Sequence, residues 1–298
     1  MHRTLITAEA LMALRRQGRP LMVFDCSFDL MTTSSGPQQF EQEHIAGAVY
    51  ANLDTDLSAR HGQPGPHGVM TAGGADQPAS GGRHPLPNRE RFERWLCSVG
   101  FANDMQAVVY DRQGCLFCGR LWWMLRWAGH EAVAVLDGGL AAWKATGGEL
   151  ASGPAPTHFQ SNFKLGTPLA RLVTAAQVES ALGSPGQTVI DARAEARFRG
   201  EVEPLDPVAG HIPGALNRPY GQNLGPDGRF KPAEQLRREF EQLLGGRPPE
   251  SVVHQCGSGV SAVPNLLAME IAGLGASGLF AGSWSEWCSD PRRPVERG

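Results

Sequence analysis

Two stretches of this 298-residue chain carry the same signals in the same order. The first has Leu21-Met22-Val23-Phe24-Asp25, then His44-Ile45-Ala46-Gly47-Ala48. The second has Thr188-Val189-Ile190-Asp191, then His211-Ile212-Pro213-Gly214-Ala215. Phe92 to Leu96 and Leu236 to Phe240 follow with helical spacing. Next, the run Ala107 to Asp111 answers Ser251 to Cys256, each leading into an apolar helix pattern, Arg120 to Ala128 or Ala262 to Ile271. Last, Val133 to Gly139 and a helix with Trp143 answer Gly278 to Ser283 and Trp287. Strands alternate with helices, and the strands are continuous apolar runs, which is how buried parallel strands covered on both faces read. The expected fold is α/β: two tandem domains, each a mainly parallel sheet flanked by helices. Residues 1–150 form the first, 169–298 the second, and 151–168, rich in Gly, Pro, Ser and Thr, the linker.

Composition narrows the function classes. A net charge of −3 with 19% charged residues gives no basic face for nucleic acid, so no nucleic-acid partner is expected. The N-terminal residues read as an amphipathic helix ending near Gly18, without the apolar core of a signal peptide. The most apolar long segment, Leu121 to Ala134, contains Arg126, His130 and Glu131, so no membrane span is expected either. The reading is a cytoplasmic protein whose six cysteines are thiols rather than a disulfide framework. Cys115-Leu116-Phe117-Cys118 has no second pair nearby to complete a metal site and reads as buried helix residues. No metal is expected, and with no nucleotide or flavin fingerprint, no cofactor.

The chemistry concentrates in Val252-Val253-His254-Gln255-Cys256-Gly257-Ser258-Gly259-Val260-Ser261-Ala262. A β-branched run ends in a cysteine, then a glycine-rich turn, then a helix. Ligands of parallel α/β sheets bind at the carboxyl ends of strands, where backbone N–H groups and a helix N-terminus favour an anion such as a thiolate. The plain alternative is a buried cysteine that ends a strand. The repeat pairs Cys256 with Asp111, so only one half carries the thiol. The His-Ile elements lie 167 residues apart but Asp111 and Cys256 only 145, so the first half carries a surplus of 22 residues. It falls in Arg60 to Pro87, rich in Gly and Pro. A loop this long is expected to be functional and to close over Cys256.

Together the tandem halves, the two His-Ile elements and Cys256-Gly257-Ser258-Gly259-Val260-Ser261-Ala262 resemble the two-domain rhodanese-like sulfurtransferases, which include 3-mercaptopyruvate and thiosulfate sulfurtransferases. The resemblance covers nearly the whole chain. It implies that Cys256 takes a sulfane sulfur from a small-molecule donor as a persulfide, and that cyanide or a thiol, a thioredoxin-like protein among the candidates, removes it. Gly257, Gly259, Val260 and Ser261 would form the cradle. The uncharged loop is of the mercaptopyruvate type, whereas thiosulfate users carry basic residues after the cysteine. By the same resemblance Arg197 holds the donor carboxylate bidentately; pairing with Glu201 or Glu203 is its structural alternative. Arg193 and Arg199 are read as structural or solvated. The family's second arginine is missing after Glu203-Pro204, leaving Arg83 or Arg218 to replace it. Ser258, His84 and Asp76 would form the proton relay. Trp284 is read as a pocket wall or as core. The competing functions are a thiosulfate:cyanide sulfurtransferase, a cysteine phosphatase and a non-catalytic sulfide carrier. The phosphatase reading fails on Ala262, where such enzymes need an arginine.

Overall fold

The computed structural model describes residues 1–59 and 77–298. The first half contains β1 (Leu5–Ile6), α1 (Ala8–Arg16), β2 (Leu21–Asp25), α2 (Ser35–Gln42), β3 (His44–Ile45) and β4 (Val49–Tyr50). It continues with α3 (Arg89–Ser98), β5 (Gln106–Tyr110), α4 (Cys118–Trp127), β6 (Val133–Leu136), α5 (Gly139–Ala145) and β7 (Leu150–Ala151). The second half has β8 (Arg171–Leu172), α6 (Ala175–Ser180), β9 (Thr188–Asp191), α7 (Glu195–Phe198), β10 (Leu216–Asn217) and α8 (Ala233–Leu244). It ends with β11 (Val252–Gln255), α9 (Val263–Ile271), β12 (Gly278–Leu279) and α10 (Ser283–Trp287).

Each half builds a five-stranded parallel sheet, and the two share one topology. Edge to edge, the first runs β1-β6-β5-β2-β4 and the second β8-β12-β11-β9-β10. The repeat in the sequence is therefore a repeat of strand order. β11 is the central strand of its sheet, in register with β9 from Val252 opposite Thr188 to Gln255 opposite Asp191. Its carboxyl end delivers Cys256 to the sheet edge where the chain turns toward α9. β5 delivers Asp111 to the matching place in the other sheet. β3 and β7 pair as a small antiparallel ribbon, so Ala151, the first residue of the stretch read as linker, still belongs to a strand.

Local chemistry sets the helix boundaries. Thr7 caps α1 by accepting the Ala10 N–H, and Leu11 and Leu14 face inward. In α8, Leu236, Phe240 and Leu244 recur every four residues on the buried face, and Gly245 at φ +57 ends the helix in the left-handed conformation that glycine tolerates. α4 is different: nine of its ten residues are buried, including Leu121, Trp122, Trp123 and Trp127. It is buried on nearly every side because it lies between the halves and packs on α9, whose residues Val263 to Met269 are buried as well. One hydrophobic cluster consequently runs from Phe24 and Val109 through α4 to Val263, Leu267, Ile190 and Val252. Removing the large side chains of that seam would cost about 2–5 kcal/mol each, so the halves stabilise one another.

Candidate active site

Cys256 is buried, with 1% of its surface exposed. The Gly259 N–H points at its sulfur at 3.2 Å. Gly259 has φ +74, and a Cβ there would overlap the carbonyl oxygen of Ala281, so only glycine curls the chain this tightly beneath the sulfur. The Cys256 N–H is held by Ser283 Oγ at 3.1 Å, and that oxygen also lies 3.9 Å from Sγ. Ser283, a non-glycine residue at φ +54, starts α10 in a strained conformation of the kind that collects at functional sites. The Trp284 and Ser285 N–H groups bind the Cys256 and Gly257 carbonyls, which locks the loop against α10. Of the expected cradle, Gly257, Gly259 and Val260 are buried against the sulfur's loop, and Ser261 stands partly exposed at the entry to α9.

The described end of the surplus segment reaches this loop. The Gly81 N–H donates to Glu286 Oε2 at 3.1 Å and the Arg83 N–H to Ser285 Oγ at 3.0 Å. Gly82, at φ +85, presses against the Gly282 carbonyl, where a side chain would not fit. His84 is thereby placed with Nδ1 2.7 Å from Ser258 Oγ, across the boundary between the halves. On the other side of the ring, Nε2 lies 3.5 Å from Asp54 Oδ1, an ion-pair distance once the ring is protonated. Asp76 lies outside the described residues. Sequence reasoning missed Asp54 as the carboxylate facing His84; it sits ten residues after His44, ahead of the long segment that supplies the histidine.

Two guanidinium groups converge on Gly257. A Cβ on that residue would lie 3.1 Å from Arg83 Nη2 and 3.5 Å from Arg197 Nη1. Both arginines bind the same carboxylate: Asp206 accepts from Arg83 Nη1 and lies 3.4 Å from Arg197 Nη2. Arg197 also grips Glu203 at 2.6 and 3.3 Å. Burial raises the Glu203 pKa, but hydrogen bonds from Arg197 and from the Leu205 and Asp206 N–H groups outweigh it and hold the carboxyl below its ordinary range. Arg218, the other candidate for a second arginine, is corrected by the structure. It is buried and bound to Glu239 at 2.8 Å and Asn223 at 2.9 Å. Arg193 is buried in a fork with Asp191 and beside Glu203, and Arg199 pairs with Glu195 and Glu201 at the surface. Trp284 is fully buried core; its Nε1–H donates to the Val208 carbonyl and its ring lies under Arg193.

The equivalent place in the first half is chemically closed. The carboxylate of Asp111 accepts the N–H groups of Gln113, Cys115, Phe117 and Cys118 at 2.8–3.0 Å. It is its own anion in the cradle that the second half leaves for sulfur. Cys115 and Cys118 are buried beside it, and burial pushes the Cys118 thiol well above its ordinary pKa. No group of His, Cys, Asp and Glu side chains suited to a metal ion occurs among the described residues.

A cysteine at the end of a central parallel strand, with the Gly259 N–H on its sulfur, lies in a loop that also carries a serine–histidine pair and is approached by two arginines, a candidate α/β site built from two halves. The sequence profile of the rhodanese-like domain matches residues 7–146 and again 174–290, and the chain belongs to this family. It is 47% identical to a Pseudomonas aeruginosa protein named a probable 3-mercaptopyruvate sulfurtransferase, over 99% of this chain and 98% of that one. It is 33% identical to the human 3-mercaptopyruvate sulfurtransferase, over 94% and 89% of the two chains. The crystal structure of SseA from Escherichia coli, described among 3-mercaptopyruvate sulfotransferases, superposes with a TM-score of 0.75 at 29% identity, covering 96% of this chain and 100% of that one. The protein is a transferase of the sulfurtransferase class. Among the described residues no helix is long and apolar enough to cross a membrane.

Proposed function

We propose that the protein moves sulfane sulfur from 3-mercaptopyruvate to a thiol or to cyanide through a persulfide on Cys256. The observation that carries this reading is the pair Arg83 and Arg197 sharing one carboxylate beside Gly257. Asp206 stands where a donor carboxylate would bind, and an incoming 2-oxo acid would displace it. The donor's thiol sulfur then lies toward Cys256. A planar guanidinium binds a carboxylate through two parallel hydrogen bonds, so two of them fix the donor's orientation as well as its charge.

The Cys256 thiolate attacks the donor sulfur; an S–S bond forms and the donor C–S bond breaks. The bonding electrons leave on the pyruvate enolate. Ser258, hydrogen-bonded to His84 with Asp54 behind it, passes a proton to that carbon, and the donor's thiol proton restores the relay. Pyruvate and an anionic persulfide result. The acceptor's sulfur or carbon then takes the outer sulfur and returns Cys256 as thiolate. The Gly259 N–H serves the anion at each stage. A thioredoxin-like dithiol is the proposed protein acceptor, and the cytoplasm, where such dithiols are kept reduced, is the proposed location.

Steady-state rates with 3-mercaptopyruvate and with thiosulfate test the donor. The reading requires a higher kcat/KM for 3-mercaptopyruvate and no turnover of either donor by Cys256→Ser. A large thiosulfate preference would instead assign the two arginines to an inorganic dianion and replace this reading with the thiosulfate:cyanide one.

A further inference from the structure

Arg120 lies on α4, in the half without a nucleophile, and is 0% exposed. A fully buried guanidinium is ordinarily paired with a carboxylate, because an uncompensated charge in a low-dielectric interior is expensive. Arg120 has no such partner among the described residues; it has three backbone carbonyls instead. Nη1 donates to Gly259 O at 3.0 Å, and Nη2 donates to His84 O at 2.8 Å and Leu57 O at 3.3 Å. Its Nε is without an acceptor among the described residues. Burial lowers its pKa to about 10, and a negative charge on the Cys256 sulfur would counter this.

The three carbonyls are not a random set. Gly259 is the residue whose N–H holds the Cys256 sulfur, so a donor on its C=O fixes the left-handed turn that aims that N–H at the sulfur. His84 carries the imidazole to Ser258. Leu57 belongs to the segment that follows Asp54. One side chain therefore ties the cysteine loop of the second half to the relay segments of the first.

Resting on the sulfur-transfer reading above, we infer that Arg120 is a positioning residue of the active site: it sets the Gly259 and His84 backbones and supplies the positive charge that an anionic Cys256 sulfur faces from within the protein. The supporting half thus contributes charge as well as a proton relay. This role also explains why an arginine stands fully buried in the first turn of a helix with nine of its ten residues buried.

The test uses the full chain with Arg120→Gln and Arg120→Lys. The readouts are the rate of Cys256 alkylation by iodoacetamide at neutral pH, assigned by peptide mass, and kcat and KM with 3-mercaptopyruvate. The thiolate is the reacting species, so Arg120→Gln is expected to slow Cys256 alkylation about tenfold and lower kcat more than it raises KM. Alkylation of the partly exposed Cys97 stays unchanged. Arg120→Lys keeps the charge and restores most of the alkylation rate, while kcat remains reduced because one ammonium cannot span three carbonyls. A folded Arg120→Gln protein with a wild-type Cys256 alkylation rate overturns the inference. Should Arg120→Gln fail to fold, Cys256→Ala in the wild-type background decides. It must lower the melting temperature, since Arg120 then loses its anion; an unchanged or higher melting temperature overturns the inference. Alkylation needs no sulfur donor, so a protein that takes no sulfur from 3-mercaptopyruvate would sink the proposed function while leaving the Arg120 result to stand or fall by itself.

Discussion

At the scale of single residues, the site depends on who binds whose carboxylate. Arg197 and its alternative partner Glu203 were both legible from the segment, and in the structure Arg197 holds Glu203 and reaches Asp206 while facing Gly257. Arg197→Lys keeps the charge and loses the fork. It is expected to raise KM for 3-mercaptopyruvate about tenfold or more with a smaller change in kcat, measured by steady-state kinetics. An unchanged KM would remove Arg197 from the donor site. Cys256, Ser258 and His84 were readable because local motifs carry them. Asp54 and Ser283 were not. Asp54 meets His84 only through the path of the chain between them, and nothing in Gly282-Ser283-Trp284 announces a serine at positive φ.

At the scale of elements, the two strand–loop–helix units show how one backbone serves opposite ends. After β11 the loop cradles a thiol, and after β5 it cradles the Asp111 carboxylate with four N–H bonds. Asp111→Asn would replace an acceptor oxygen by an amide facing those N–H groups. It should cost about 3 kcal/mol of stability by urea denaturation, because it acts on the fold of the first half and only through that on catalysis. β11 carries a second buried constraint. His254 has its Nε2 3.2 Å from Met269 Sδ and, among the described residues, no partner on Nδ1, and burial drives its pKa down to about 3. Folded, it stays neutral until that pH; unfolded, it takes up a proton near 6.5. The unfolded state therefore binds more protons in between, and stability falls as pH falls from 6.5 toward 3. His254→Gln is expected to lose about 3 kcal/mol less than wild type between neutral pH and about 4.5. Parallel loss in both proteins, followed by urea melts across that range, would place the acid sensitivity elsewhere. The helices and strands themselves were well marked by period and composition, and the surplus segment was rightly expected to reach the cysteine loop, since its described end binds Ser285 and Ser258.

At the scale of the whole molecule, the repeat predicted two equal sheets, and the structure contains them with one strand order. What the repeat could not convey is the seam. α4 and α9 occupy equivalent positions in the two halves and pack on each other, so the helices that cover one face of each sheet are shared as a single core. The apolar pattern from Arg120 to Ala128 marked α4 as a helix, but the direction of the Arg120 charge could not be read from it. The shared core predicts one cooperative transition: tryptophan fluorescence and sulfurtransferase activity should be lost at the same urea concentration, and two separated transitions would show that the halves fold independently.

In the proposed reaction, a thiol in one half, served by residues from the other, is loaded with sulfur by a 2-oxo acid. Intact-protein mass spectrometry with peptide mapping, after exposure to 3-mercaptopyruvate or to thiosulfate, tests it most directly. The expected result is a gain of one sulfur atom on Cys256, faster from 3-mercaptopyruvate, and strongly slowed by His84→Ala, a change made in the half that has no nucleophile. Sulfur found on another cysteine, or on Cys256 at an unchanged rate in His84→Ala, would contradict it.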